Sequence, residues 1–290
     1  MTGRDVMERH RSLGRPFDAA GIRSFVREEG SGEPVVCVHG VPMSCFLYRR
    51  LLPELAARGL RGVAFDLPGL GFADRGPALD YTWTGLGRFA HAAVDALGLE
   101  RFHLVVHDVG GPVGFELAAA APERVLSLTV LNTIIEADTF KRPWMMEPFA
   151  IRGVRFAWLR TMTRPTWRAL YHYAGVRNHR AVPGAEVDAH LELLKRVDGG
   201  RSFLRVMRGF ERTVEKRELY ASALRGPYPV QLVWGEHDPL LKLAVQGEQA
   251  RRAAGLDEIH TVPAKHFLPE DQAPAIAERV AGLAASAGRG

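Results

Sequence analysis

The chain has 290 residues, 47% of them hydrophobic and 24% charged, with a formal net charge of +5. That length and balance suit one large α/β domain with an insertion, or two small domains, and make disulfides or metals unnecessary to hold the fold. The positive charge does not mark a nucleic-acid partner: arginines are spread along the whole chain and alternate with Glu and Asp, even in the dense stretch 201–217, as on a solvated helix face.

Residues 1–16 are polar and aperiodic and read as a flexible arm with no apolar signal-peptide core. Positions 22–28 alternate and read as an edge strand. A turn leads into the apolar run 35–39, a buried strand, and a helical pattern follows over 44–58, stopped by Gly59. The alternation continues with a strand at 62–66, a Gly/Pro loop at 67–76, a helix at 82–97, a strand at 102–108, a helix at 110–120 and a strand at 126–133. From 136 to 222 the pattern is helical and rich in aromatics. Strand and helix then resume at 229–234, 242–254, 258–262 and 273–285. The expected fold is α/β: a mostly parallel central sheet flanked by helices, its core made of 17–135 and 223–290, with a helical cap, 136–222, inserted after the sixth strand. No apolar run approaches the length of a membrane span, so no membrane partner and a cytoplasmic location are expected. Cys37 and Cys45 read as a small buried hydrophobe and a helix-start residue rather than a redox pair.

Ligands of open parallel sheets sit at the carboxyl ends of the strands. The polar residues just past each apolar run are His39, Asp66, Asp108, Asn132, Asp238 and His266. The most specific context is Val105-Val106-His107-Asp108-Val109-Gly110-Gly111, a strand running through a sharp turn into a helix. It is the setting of a nucleophile elbow, with a carboxylate where serine normally stands. Asp238 follows the next-to-last strand and His266 the last, so nucleophile, acid and histidine come in the order such a site requires. Backbone N–H groups of Val41, in His39-Gly40-Val41-Pro42, and of Val109 are placed to form an oxyanion hole.

A carboxylate attacking an ester would give an anhydride, whereas at an sp³ carbon bearing a leaving group it gives a stable alkyl ester. Displacement of a halide or opening of an epoxide therefore fits, and esterase chemistry does not. His266 would activate water against the ester, with Asp238 orienting its ring. No cofactor or metal is needed. The partners expected are a small apolar organic substrate and water; oligomeric state is not legible.

The segments HGVP (39–42), DLPGLG (66–71), VVHDVGG (105–111), VWGEHDP (233–239) and KHFLPED (265–271) resemble the haloalkane dehalogenase and epoxide hydrolase branch of the α/β-hydrolase family, the last segment leaning towards the dehalogenases. The resemblance runs from about residue 22 to the C-terminal helix and is weakest across the cap. It implies Asp238 as the triad acid, Asn132 being unable to serve. It also implies Trp after the nucleophile and, in many dehalogenases, Asn after His-Gly, side chains that donate to the departing halide. Here those positions hold Val109 and Val41. Restoring Trp and Asn there should raise halide turnover. Leaving-group and substrate contacts must come from the cap: an indole of Trp144, Trp158 or Trp167 for a halide, or a phenol of Tyr171 or Tyr173 for an epoxide oxygen. A haloalkane dehalogenase-like reaction leads and epoxide hydrolysis is the alternative. A site with neither contact would point to a non-catalytic binding protein or an unfamiliar substrate.

Overall fold

The computed structural model describes residues 1–288. Its eight strands are β1 (Arg15–Ala19), β2 (Ile22–Glu29), β3 (Pro34–Val38), β4 (Arg61–Phe65), β5 (Phe102–Asp108), β6 (Val125–Thr133), β7 (Val230–Gly235) and β8 (His260–Val262). They form one sheet in the order β1-β2-β4-β3-β5-β6-β7-β8. The β1–β2 and β2–β4 pairs are antiparallel and every later pair is parallel. Central strands read as unbroken apolar runs because both faces are covered: Val35 to Val38 and Phe102 to Val106 are fully buried or nearly so.

Two groups of helices flank the sheet. Helices α2 (Leu51–Ala56) and α12 (Ala273–Ala287) pack on each other, while α3 (Trp83–Ala96) packs on α4 (Gly110–Ala120). Helix α3 shows how its sequence sets its ends. The Thr82 side chain accepts from the Gly85 N–H at 3.0 Å, and Gly98 turns the chain away at φ +67. Between β6 and β7 lie α5 (Arg155–Thr161), α6 (Arg164–Leu170), α7 (Gly184–Lys195) and α8 (Arg201–Arg208), the helices of the cap. Helix α9 (Val214–Ala223) falls within the stretch expected to be cap, but it packs on α4: Lys216 pairs with Glu116, and Tyr220 lies against Phe115. No helix among the described residues is long and apolar enough to cross a membrane.

Three local readings change. Residues 1–16 are not a loose arm. Thr2 and Asp5 cap α1 (Gly3–Ser12) reciprocally, and Val6 and Met7 bury against Phe46, Ala189 and Leu193, docking α1 on α7. β1 follows directly, and with it β6 is the sixth strand. β2 is therefore not an edge strand, since β1 covers it. The stretch 44–58 is broken into a short turn, Cys45–Tyr48, and α2, with Arg49 and Arg50 between them. Cys37 and Cys45 are both buried and free, as expected, and burial pushes both thiols well up.

Arg49 meets a buried carboxylate. Its guanidinium donates at 2.7 Å to each oxygen of Glu270, in α11 (Leu268–Asp271), and pairs also with Glu186 of α7. His190 Nε2 lies 2.7 Å from Glu270 Oε1. Burial alone would raise the Glu270 carboxyl, but the Arg49 charge and the His190 hydrogen bond bring it down to about 2. A depressed carboxyl contributes stability above its ordinary value, and that contribution is lost as pH falls towards 2. Replacing Glu270 by Gln leaves a buried guanidinium short of its main counter-charge. It should cost about 3–5 kcal/mol at neutral pH in denaturant unfolding. Between pH 4.5 and about 2 the wild type should lose more stability than the variant does.

Candidate active site

Asp108 ends β5 at a point where the β5–β6 register shifts, and its φ of +53 puts a non-glycine residue in the left-handed region. The surroundings hold it there. Thr133 Oγ1 donates to its backbone carbonyl at 2.5 Å. The chain then enters α4 directly, with Gly110 against the Val38 carbonyl, where a Cβ would collide. Gly40 is required for the same reason: a Cβ there would strike the Asp108 carboxylate.

The side chain is met from two directions. The Val41 N–H donates to Asp108 Oδ1 at 2.7 Å, and the Val109 N–H also stabilises the anion. On the other side His266 Nε2 stands 3.5 Å from Asp108 Oδ2. His266 Nδ1 lies 2.8 Å from Asp238 Oδ2. Asp238 is fully engaged: Oδ1 accepts from the N–H groups of Leu240 at 2.7 Å and Leu241 at 3.0 Å, and Oδ2 also accepts from Asn132 Nδ2 at 2.7 Å. Asn132 Oδ1 in turn accepts from the Gly235 N–H at 2.8 Å. Asn132 is thus no acid but a clamp that fixes one, and Thr133 beside it fixes the elbow. Neither role was visible in the sequence, because both depend on which strand lies next to β5 and β7.

Charge follows this geometry. Burial pushes the Asp108 carboxyl up, but the hydrogen bond and charge of His266, with His107 and the Val109 N–H, bring it below its ordinary value. For His266, burial disfavours the cation, yet Asp238 and Asp108 on either side raise it to about 10. His107 is held down to about 4, mainly by burial, and its neutral ring donates from Nε2 to the His266 carbonyl at 2.8 Å. Of the other strand-end residues, Asp66 accepts the N–H groups of Cys45 at 2.8 Å and Phe72 at 2.7 Å, and His39 Nε2 accepts that of Leu67 at 3.0 Å. Both organise loops. Glu236 lies at the surface, 3.0 Å from Thr261 Oγ1.

Above Asp108 lies a narrow cavity of about 50 Å³, walled by cap side chains such as Phe140, Met145, Phe149, Phe203, Met207 and Phe210. Among the described residues, the lining side chains that carry a polar atom able to hydrogen-bond are Asp108, His266, Arg142 and Trp167. The cap contacts expected for a leaving group are not there. Trp144 is 75% exposed and does not line the cavity. Trp158 donates its indole N–H to the Met145 carbonyl at 3.1 Å, and Trp167, whose ring does line the cavity, donates to the Val187 carbonyl at 2.8 Å. Tyr171 is buried against Phe267 and His190, and Tyr173 is 60% exposed; neither lines the cavity. The indoles are used in helix packing. The two tyrosines sit in a one-turn bulge, Tyr171–Gly175, which turns one inward below the cavity wall and the other out to solvent.

A buried carboxylate at a strand-to-helix elbow, with two backbone donors on one side and a histidine–carboxylate pair on the other, beneath helices inserted after the sixth strand, defines an α/β-hydrolase. The model of the alpha/beta hydrolase fold family matches residues 33–273, and the chain belongs to that family. Within it the chain is similar to haloalkane dehalogenase 2 of Mycobacterium tuberculosis, 28% identical over 280 residues that cover 92% of this chain and 93% of that protein. Among solved structures it is similar to Cfl2 from Burkholderia cenocepacia, with a TM-score of 0.79, 27% identity and coverage of 92% and 94%. It shares its fold with an epoxide hydrolase from Vigna radiata, with a TM-score of 0.77, 21% identity and coverage of 94% and 97%.

The arrangement predicts a titration. Removing the Asp238 charge by Asp238→Asn should lower the pH at which the His266 ring loses its proton from about 10, because that carboxylate does most to hold the proton on the ring. Imidazole NMR signals followed against pH measure it; an unmoved midpoint contradicts the pairing.

Proposed function

We propose that the protein is a hydrolase that breaks a bond between an sp³ carbon and a leaving group through an alkyl ester on Asp108, a haloalkane dehalogenase-like reaction. The observation carrying this reading is that Asp108 presents an ionised carboxylate to an apolar cavity with His266 beside it. In the first step an Asp108 oxygen attacks the carbon, the C–O bond forms, and the halide leaves with the electron pair of the broken bond. In the second, water gives a proton to His266 Nε2 and its oxygen attacks Cγ of Asp108. The tetrahedral oxyanion is met by the N–H groups of Val41 and Val109. Collapse breaks the ester bond, the departing alcohol oxygen takes the proton back from His266, and the acid proton left on Asp108 passes to the freed His266 Nε2, which restores the carboxylate beside a cationic ring. Asp238 stabilises the imidazolium.

The charges suit the order of the steps. While Asp108 is ionised, His266 is held cationic between two carboxylates. Esterification removes one of those charges, so the ring becomes easier to deprotonate when a base is needed.

Leaving-group chemistry separates the two best readings. A halide departs as a weakly basic anion and needs no proton, whereas an opened epoxide leaves an alkoxide that does. A cavity wall with neither a phenol nor a freed indole N–H among the described residues counts against both, but less against halide displacement, which needs no proton. Since, among the described residues, no freed indole N–H and no asparagine side chain faces the cavity, the leaving group should be one that departs with little help, bromide or iodide before chloride.

Three outcomes are expected. His266→Gln should stall at the ester, and mass spectrometry after exposure to a bromoalkane should find the alkyl mass on the peptide carrying Asp108; an adduct on another residue, or none with any halide or epoxide, removes the reading. Asp238→Asn should cut kcat by about 10³–10⁴-fold while Glu236→Gln leaves it nearly unchanged. Val41→Asn should raise chloride turnover about tenfold or more, the scale of one well-aimed donor. Val41 lines the cavity, whereas Val109 is buried beneath it, so tryptophan at 109 would have to displace packed neighbours.

A further inference from the structure

Arg142 is unusual in the cavity wall. Its side chain is only 5% exposed, yet its carboxylate neighbour, Glu147, is 3.3 Å away and 44% exposed. One terminal nitrogen donates to the Met207 carbonyl at 2.8 Å, Nε is buried with no partner, and the guanidinium lies 4.5 Å from the centre of the Phe210 ring. Arg212, close by, adds a second positive charge. A guanidinium has five N–H donors, and burying it with most of them unspent is costly unless something completes the set. Asp108 is the other charged group of the lining, and it is partnered by His266 at 3.5 Å whereas Arg142 is partnered by Glu147.

We infer that Arg142 binds a carboxylate on the substrate and so orients it, with the anionic end at Arg142 and the electrophilic carbon at Asp108. The inference deepens the proposed reaction and rests on Asp108 as the reacting carboxylate. A substrate anion beside Asp108 would be repelled; beside Arg142 it replaces missing hydrogen bonds and neutralises a buried cation, with planar geometry matched to a carboxylate. The rest of the wall is apolar and the space small. The substrate class is therefore a halogenated short-chain carboxylic acid, rather than a plain haloalkane.

The test compares 6-bromohexanoate with its methyl ester and with 1-bromohexane, and measures binding of unreactive hexanoate by calorimetry. Wild type should prefer the acid to the ester in kcat/KM by about tenfold or more, the scale of a charge-assisted hydrogen bond, chiefly through KM. Arg142→Met should bring that ratio towards one, and Arg142→Lys should restore part of it. Hexanoate should bind wild type and Asp108→Asn, but not Arg142→Met. A wild type that turns over ester and acid equally, or hexanoate binding that survives Arg142→Met, overturns the inference. Should Arg142→Met fail to fold, the wild-type preference and Arg142→Lys still decide. The two readings fail separately. Arg142-dependent hexanoate binding without any adduct on Asp108 would remove the reaction and keep the subsite; adducts from all three bromides without hexanoate binding would do the reverse.

Discussion

An ionised carboxylate at the floor of an apolar cavity is the constraint around which the rest of this structure is arranged. Asp108 can stay charged only if donors surround it, and a strand or helix interior leaves no free N–H to do so. The elbow solves this by holding Asp108 in the left-handed region, which turns the side chain out of the sheet and brings the N–H of Val109 to it. Gly40 lets the Val41 N–H approach from the neighbouring strand end, and Gly110 lets α4 close in behind. His266 completes the set as a cation, itself possible only because Asp238 is buried and saturated with donors.

The segment that brings His266 also holds the cap. The His266 N–H donates to the Ala174 carbonyl at 3.1 Å and that of Phe267 to Gly175 at 2.8 Å. Four residues on from His266, Glu270 joins Arg49 of the core to Glu186 and His190 of α7 through shared charge, and Asp271 accepts the N–H groups of Arg177 at 2.9 Å and Asn178 at 3.0 Å. One stretch of seven residues thus supplies the imidazole, a cavity wall in Phe267 and the anchors of the cap. Any opening of the cap must work against contacts made by the backbone of His266 itself, so access to the cavity and alignment of the histidine are coupled.

The sequence made the sheet, the elbow and the three charged residues legible, because each rests on local pattern: unbroken apolar runs for buried strands, Gly-Gly after Asp108, polar residues just past strand ends. What it hid was set by long-range packing. A polar first segment concealed α1, whose few apolar residues, Val6 and Met7, find partners in Phe46 and, more than 180 residues away, on α7. The register of β6 beside β5 and β7 gave Asn132 and Thr133 their roles. Cap tryptophans and tyrosines were candidates by composition, but where an indole points depends on the carbonyl nearest to it, and in Trp158 and Trp167 the N–H is taken up by the carbonyls of Met145 and Val187. Arg142 escaped notice because one arginine among many carries no pattern.

The valines at 41 and 109 then take on a definite meaning. In the proposed reaction the second half, hydrolysis of an ester on Asp108, would draw on His266, Asp238 and two backbone N–H groups, and substitution of valine for asparagine or tryptophan leaves all of these in place. Only the first half depends on side-chain donors to a leaving group. On that reading the core holds the groups that are indifferent to what departs, and recognition of the substrate would fall to the cap, where Arg142 is the one guanidinium in the wall among the described residues. A cation that holds the far end of a molecule fixes the distance and angle at which its carbon meets Asp108. Such positioning lowers a displacement barrier without touching the leaving group at all. On the proposed reading, binding energy at Arg142 would substitute for the donors missing beside Asp108.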